Sequence, residues 1–280
     1  MSVRESVLVT ATHLADLLAR DAGAVQLLDV RWDLGEPRGA GHERYLAGHL
    51  PGARFLDLED VLTGPTGDPT RGRHPLPDAG TVAEGLGKLG IDPARPIVVY
   101  DEPGSFAAGR AWWVLRWVGL DARVLDGGVT AWQAVGGALE SGEVRHARTF
   151  FTLTTGHLPT IDADQAAAFP AAGTLIDVRA AERFRGAFEP IDAQAGHIPG
   201  AVNLPVTALF AADGTLPDAA ALRALLGSGL QGPIAAYCGS GVSAAQLILG
   251  LAALGVEAPL YPASWSGWSS DPALPVAVGA

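Results

Sequence analysis

The chain of 280 residues carries one series of short motifs twice, in the same order. Each motif in the first half has a partner in the second: LLDVR (27–31) with LIDVR (175–179), AGHLPGA (47–53) with AGHIPGA (195–201), LPDA (76–79) with LPDA (216–219), PIVVY (96–100) with PIAAY (233–237), and Trp132 of GGVTAW with Trp268 of SWSGW. Each copy of the whole series spans well over a hundred residues, which is too long for one unit of a solenoid protein. We therefore predict two homologous domains, 1–140 and 160–280, joined by a linker over 141–159.

Short apolar runs alternate with helical stretches within each half. AVQLLDV (24–30), PIVVY (96–100) and ARVLD (122–126) are typical of short buried strands. The stretches between them have helical composition, and those at 105–119 and 242–255 each end on a glycine. This alternation predicts the α/β class, with two tandem domains that each contain a mainly parallel sheet flanked by helices.

Composition excludes several classes of function. A net charge of −11, with no run of lysine or arginine, disfavours nucleic acid as a partner. The only lysine, Lys88, lies in a polar helical stretch and is a poor candidate for Schiff-base chemistry. The most apolar run, 247–256, is too short to span a bilayer, and the N-terminus lacks the pattern of a signal peptide. We expect a soluble, cytoplasmic monomer without a membrane partner, a bound metal or an organic cofactor.

The single cysteine, Cys238, directly follows the predicted strand PIAAY. In parallel sheets, ligands bind at the carboxyl ends of the strands. The glycines at 239 and 241 permit a turn whose backbone N–H groups converge on one point, and the next helix begins there with unpaired N–H groups. Ser240 and Ser243 add hydroxyl donors. This arrangement favours the nucleophilic thiolate form of the sulfur.

The repeat provides an internal comparison for the cysteine. The position that matches Cys238 in the first half is Asp101, in YDEPGSFAAG. The alternative interpretation is a buried structural thiol, which is a common state for a lone cysteine. A thiol that only packs would not readily be exchanged for a carboxylate. We therefore predict a reactive Cys238 in the second domain and a catalytically inactive first domain.

Three features resemble the tandem-domain rhodaneses: the paired DVR motifs, the paired GH(L/I)PGA motifs and a Cys-Gly-rich loop after the last predicted strand. The resemblance covers nearly the whole chain. The loop CGSGVS (238–243) is similar to the loop of the mercaptopyruvate type, which usually ends in threonine where Ser243 stands. The resemblance implies a sulfurtransferase that takes sulfane sulfur from 3-mercaptopyruvate or thiosulfate onto Cys238. The resulting persulfide then passes the sulfur to a thiol, cyanide or another acceptor.

The loop also distinguishes this chain from cysteine phosphatases and arsenate reductases of similar arrangement. Those proteins use a C-x5-R loop whose arginine holds a tetrahedral oxyanion. The sixth residue after Cys238 is Ala244. A loop without that arginine is better suited to a sulfur atom.

The resemblance implies further site residues. Arg183 matches the arginine that reaches the anionic group of the donor, and His49 matches a histidine that acts in a relay with Ser240. Because His197 occupies the same place in the second half, a structural role for His49 in orienting the turn stays open as the alternative. The mercaptopyruvate type has a second arginine directly after a Glu-Pro pair, but Ile191 stands there in this chain. Arg73 is a candidate substitute. The remaining predicted binding positions belong to the loop: Gly239, Gly241, Val242 and Ser243.

Residues that occur in both halves have a simpler interpretation. Asp29 and Asp177 open the two DVR motifs, and we predict structural salt bridges or turn contacts for them. We assign Trp265 and Trp268 to the core. Two alternatives remain open for the function, namely a thiosulfate-specific enzyme and a non-catalytic module that only binds a partner.

Overall fold

The first copy of the repeat forms a five-stranded parallel sheet. Its strands are β1 (Leu8–Val9), β2 (Gln26–Asp29), β3 (Arg54–Phe55), β4 (Ile97–Tyr100) and β5 (Ala122–Leu125). They lie in the order β1-β5-β4-β2-β3, and every neighbouring pair is parallel. The register pairs Asp29 with Tyr100, so these two strands end at the same edge of the sheet.

The second copy forms an equivalent but smaller sheet. Its strands are β6 (Thr174–Asp177), β7 (Val202–Asn203) and β8 (Ile234–Tyr237), in the parallel order β7-β6-β8. Beyond β8, single parallel bridges join Ala236 to Leu260 and Leu260 to Thr160. They occupy the positions at which the sheet of unit 1 has the strands β5 and β1. Tyr237 pairs with Asp177, as Tyr100 does with Asp29. The predicted α/β architecture with two parallel sheets is confirmed.

Helices connect the strands, as the parallel arrangement requires. They are α1 (Ala11–Arg20), α2 (Ala40–Ala47), α3 (Leu58–Val61), α4 (Ala79–Lys88), α5 (Ala107–Trp117), α6 (Gly128–Ala134), α7 (Ala163–Ala168), α8 (Ala181–Phe184), α9 (Ala219–Leu226), α10 (Ser243–Ala253) and α11 (Ser264–Trp268). Short 3₁₀ helices cover Arg4–Ser6, Pro69–Arg71, Phe169–Ala171 and Val206–Leu209. The helices predicted at 105–119 and 242–255 are confirmed as α5 and α10.

The computed structural model describes residues 2–227 and 232–279 and divides into two units. Unit 1 consists of Met1–Gly64, Pro77–His157 and Ala211–Leu216; unit 2 consists of Pro65–Leu76, Leu158–Phe210 and Pro217–Ala280. Each unit thus includes a short segment from the other half of the sequence. The domain boundaries at 140 and 160 stay a prediction, but segment 65–76 belongs to unit 2 by its contacts.

The core of each unit lies on its sheet. All four residues of β4 and all four of β8 are buried, because helices cover both faces of a parallel sheet. Trp265 and Trp268 are fully buried in the unit 2 core beside Tyr237, which confirms their assignment.

The repeated motifs make the same contacts in both units. Arg31 binds Asp29 at 2.7 Å and the carbonyl of Gly48 at 2.6 Å. Arg179 likewise binds Asp177 at 2.6 Å and the carbonyl of Gly196 at 2.6 Å. These ion pairs fasten the end of a central strand to the GH(L/I)PGA turn, and the predicted structural salt bridges are confirmed. Among the described residues, no helix is long and apolar enough to cross a membrane.

Candidate active site

Cys238 lies between the end of β8 and the start of α10. Gly241 adopts φ +81°, a left-handed conformation that favours glycine, and this turn brings its N–H group to 3.0 Å from the Cys238 Sγ. The cysteine is only 1% exposed. The sulfur is thus enclosed and accepts a hydrogen bond from one backbone N–H group of its own loop, whereas the convergence of several N–H groups stays a prediction.

The turn at the start of α11 fixes the other side of the cysteine. The Cys238 N–H donates to the Ser264 Oγ at 3.1 Å, and that hydroxyl donates to the Tyr261 carbonyl at 3.0 Å. The same Oγ lies 3.9 Å from Sγ. Ser264 has φ +52°, a conformation that costs a non-glycine residue energy and that persists because the surrounding structure enforces it.

Two backbone hydrogen bonds also connect the cysteine loop to α11. The Trp265 N–H donates to the Cys238 carbonyl at 2.9 Å, and the Ser266 N–H donates to the Gly239 carbonyl at 2.8 Å. The cysteine loop is therefore held by the backbone of α11 as well as by the Ser264 side chain.

Segment 65–76 of unit 2 also contacts the cysteine loop. His74 is buried, and its Nδ1 lies 2.7 Å from the Ser240 hydroxyl oxygen. The Arg73 N–H donates to the Ser266 Oγ at 3.0 Å. Gly72 has φ +80°, and a Cβ there would lie 2.4 Å from the Ala263 carbonyl oxygen, so only glycine fits.

The relay predicted for Ser240 with His49 is corrected by a contact within unit 2, where the Ser240 hydroxyl pairs with His74. His49 is buried in unit 1, where its Nδ1 lies 2.8 Å from the Tyr45 carbonyl oxygen and its ring stacks on Tyr45. His197 makes the equivalent contact in unit 2, with Nδ1 2.8 Å from the Phe184 carbonyl oxygen. Both histidines support the GH(L/I)PGA turn.

A signal for His74 was present in the repeat. Counting back from the LPDA motifs, Arg73 and His74 match Asp213 and Gly214 in the second half. Both residues therefore occur in one copy only, as Cys238 does. The comparison that identified the cysteine also identifies these two positions, whereas His49 has a histidine partner.

Arg183, on the short helix α8, is held by a buried carboxylate. Its Nε lies 3.0 Å and 3.1 Å from the two Glu189 oxygens, and its Nη2 donates to Glu189 at 2.8 Å. Burial alone would raise the pKa of Glu189, but hydrogen bonds from Arg183 and from the Asp192 and Ile191 amides outweigh it and lower that pKa. Glu189 also contacts Arg179, which stacks on Trp265.

A second buried carboxylate, Asp192, bridges two guanidinium groups. One of its oxygens accepts from Arg183 Nη2 at 2.8 Å, and the other accepts from Arg73 Nη1. The Asp192 side chain is 2% exposed. Burial raises the pKa of this carboxyl, and the nearby Arg73 and Arg183 offset the increase only in part.

Both arginines face the residue that follows the cysteine. A methyl group built on Gly239 would lie 3.1 Å from Arg73 Nη2 and 3.5 Å from Arg183 Nη1. The absence of a side chain at Gly239 keeps this space open. Val242 is buried at the N-cap of α10 and Ser243 is its first residue; their binding roles stay predictions.

The equivalent position in unit 1 holds a carboxylate. Asp101 Oδ2 accepts a hydrogen bond from the Ala108 N–H at 2.9 Å, in the first turn of α5. Burial raises the pKa of Asp101 to about 7, although bonds from Ala108 and Ser105 act in the opposite direction. In unit 1 the loop thus surrounds its own acidic group, where unit 2 has a sulfur atom.

Comparisons with known proteins identify the family of this chain. The family described as rhodanese-like domain matches residues 10–135 and again residues 162–271. The chain belongs to the rhodanese-like family, in its two-domain form.

Individual relatives match over almost their full length. A putative thiosulfate sulfurtransferase, SseB, of Mycobacterium tuberculosis is 46% identical over 288 residues, covering 100% of this chain and 99% of the relative. A probable 3-mercaptopyruvate sulfurtransferase of Pseudomonas aeruginosa is 41% identical, covering 97% of this chain and 98% of the relative. The crystal structure of SseA from Escherichia coli, a 3-mercaptopyruvate sulfotransferase, has a TM-score of 0.81 and 34% identity, covering 92% of this chain and 98% of that one.

Proposed function

We propose that this protein is a sulfurtransferase that carries sulfane sulfur on Cys238 as a persulfide. The observation that carries the proposal is the hydrogen bond from the Gly241 N–H to the Cys238 Sγ at 3.0 Å, in a loop faced by Arg73 and Arg183. A fixed N–H donor stabilises negative charge on sulfur both in the thiolate and in the persulfide. The two guanidinium groups, although paired with Glu189 and Asp192, supply N–H donors for the anionic group of a sulfur donor.

In the first half-reaction, the Cys238 thiolate attacks the sulfane sulfur of the donor, and an S–S bond forms. With 3-mercaptopyruvate the C–S bond breaks, and its electron pair leaves with the enolate of pyruvate, which then takes up a proton. With thiosulfate the S–S bond breaks, and its electron pair leaves with sulfite. Arg183 binds the carboxylate or sulfonate, which orients the sulfur toward Cys238.

Ser240 and His74 provide the proton transfer. A donor thiol must lose its proton, and the enolate must gain one. The 2.7 Å contact between the Ser240 hydroxyl and His74 Nδ1 is short enough for a proton relay beside the cysteine loop. Thiosulfate needs neither proton transfer, so this pair is expected to matter more with 3-mercaptopyruvate.

The names of the relatives include both sulfur donors, thiosulfate and 3-mercaptopyruvate. Gly239 and Ser240 carry no charge, so the loop itself adds no cation for thiosulfate, and this favours 3-mercaptopyruvate. A cysteine that is 1% exposed suits small reactants. In the second half-reaction a thiol or cyanide attacks the outer sulfur and restores the thiolate. A cycle through a free thiol suits a reducing compartment, so we place the protein in the cytoplasm.

Turnover with two donors tests this proposal. Wild-type protein should produce thiocyanate from cyanide with 3-mercaptopyruvate, with thiosulfate or with both, and Cys238→Ser should produce none. Ser269→Ala serves as a control, because it changes a buried serine of unit 2 outside the loop. Wild-type protein inactive with both donors would instead support a binding module.

A further inference from the structure

One serine of α11 binds the residues that precede both members of the Ser240–His74 pair. The Ser266 N–H donates to the Gly239 carbonyl at 2.8 Å, and Gly239 directly precedes Ser240. The Ser266 Oγ accepts from the Arg73 N–H at 3.0 Å, and Arg73 directly precedes His74. A single residue thus holds the backbone on both sides of the 2.7 Å contact between Ser240 and His74.

Two glycines allow α11 and the segment with His74 to approach each other closely. A Cβ on Gly267, next to Ser266 in α11, would lie 2.6 Å from the Thr70 carbonyl oxygen. On the facing side, a Cβ on Gly72 would lie 3.0 Å from the Ser266 Oγ. Packing this close keeps the Ser266 hydroxyl against the backbone of the histidine segment.

The internal repeat links this serine to the unit that contains the cysteine. Counting back from the final tryptophan of each copy, Ser266 matches Thr130. The residues two positions earlier, Ser264 and Gly128, share a left-handed conformation with φ +52° and +58°, so the two turns are equivalent. Thr130 is exposed in unit 1, whereas Ser266 is partly buried and bonded to Arg73. The contact thus accompanies the cysteine, as expected of a residue that serves the reaction.

We propose that Ser266 is a positioning residue for proton transfer with 3-mercaptopyruvate, because it sets the distance between His74 Nδ1 and the Ser240 hydroxyl. The inference rests on the proposed function, in which this pair moves the protons that 3-mercaptopyruvate requires. Misplacement of a catalytic group by about 1 Å can lower a rate about 100-fold. Thiosulfate requires no proton transfer, so its turnover should not depend on Ser266.

The other contacts of the site do not depend on the Ser266 hydroxyl. In Ser266→Ala, the Arg73 side chain should keep its bond to Asp192, and the backbone bond to Gly239 should persist. Cys238 should keep the backbone hydrogen bond to its sulfur. The substitution therefore loosens the histidine side of the pair and leaves the nucleophile in place.

Steady-state kinetics with both donors test the proposal in Ser266→Ala and Ser266→Thr, with Ser269→Ala as the matched control. Ser269 is buried one residue after α11, and its Oγ has no hydrogen-bond partner among the described residues. We expect Ser266→Ala to lower kcat with 3-mercaptopyruvate about 10-fold, and to leave kcat with thiosulfate and both KM values within about twofold. Ser266→Thr retains the hydroxyl and should stay within about threefold of wild type, and Ser269→Ala within about twofold.

The comparison of donors separates positioning from damage to the fold. A loss of kcat with 3-mercaptopyruvate alone, restored by threonine, supports the proposal. A structural defect would lower turnover with both donors, so equal losses overturn the proposal. An unchanged kcat with 3-mercaptopyruvate in Ser266→Ala overturns it as well.

Nitrogen NMR of the imidazole rings tests the positioning without any donor. Among the seven histidines, the His74 resonances are assigned by their absence in His74→Gln. Ser240→Ala should shift the His74 Nδ1 resonance because a hydrogen bond is lost, and Ser266→Ala should shift it in the same direction, whereas Ser269→Ala should not. If the wild type is inactive with both donors, the proposed function fails, yet this measurement still decides whether Ser266 positions the pair. An unchanged Nδ1 resonance in Ser266→Ala overturns the inference.

Discussion

Removing the charge of Glu189 should destabilise unit 2 measurably. This carboxylate is 3% exposed and pairs with both Arg179 and Arg183. Glu189→Gln retains the shape but leaves Arg183 without its main counter-charge and places an NH₂ group against a guanidinium. Removal of one partner from a buried ion pair costs about 3 kcal/mol or more. We expect urea unfolding, followed by tryptophan fluorescence, to show a loss of about 3 kcal/mol at pH 7.

The pH dependence of that loss follows from the pKa of Glu189. Because the folded protein lowers this pKa below 4.5, the carboxylate contributes stability above the unfolded value and loses it as pH falls through the folded value. The difference between wild type and Glu189→Gln should therefore shrink once the pH is below 4.5. Glu182→Gln, at an exposed position on α8, is the control and should change stability by less than about 0.5 kcal/mol. A loss below about 1 kcal/mol at pH 7, or one that is constant with pH, would refute this reasoning.

Three further predictions concern the residues around the two loops. His74→Gln should lower kcat with 3-mercaptopyruvate about 100-fold and affect thiosulfate less, as donor-specific kinetics will show; equal losses would contradict a proton relay. Ser264→Ala should slow persulfide formation about 10-fold in stopped-flow assays, because it removes the acceptor for the Cys238 N–H; an unchanged rate would exclude this role. Asp101→Asn should raise the free energy of unfolding at pH 8 by at most about 4 kcal/mol and leave it unchanged near pH 4. The reason is that the Asp101 pKa is raised to about 7, so ionisation of this carboxyl destabilises the folded state as pH rises. Urea denaturation at both pH values checks this, and an equal effect at both would contradict it.

The internal repeat makes the two sheets and the structural ion pairs predictable from the sequence. Matched strand motifs gave both sheets, and duplication of the DVR aspartates correctly indicated structural ion pairs. The Cys-Gly loop predicted the hydrogen bond to sulfur, because local backbone geometry follows from glycine positions. These features depend on residues that are close in the chain or occur in both halves.

The missed features depend on contacts between distant residues. Ser240 pairs with His74 across 166 positions, and no local pattern reports such a contact. Nothing in the sequence shows that segment 65–76 belongs to unit 2, so the resemblance points to the histidine of the repeated GH(L/I)PGA motif instead. Likewise, Asp192 bridges Arg73 and Arg183 only because the fold brings three separate segments together.

The central claim is that Cys238 carries the transferred sulfur, and intact-mass measurement tests it most directly. Wild-type protein and Cys238→Ser are incubated with each donor, freed of excess donor and weighed before and after dithiothreitol. The account predicts a gain of about 32 Da on the wild-type peptide that contains Cys238, reversed by dithiothreitol, and no gain in Cys238→Ser. Unmodified wild-type protein with both donors, or the same gain in Cys238→Ser, would contradict it.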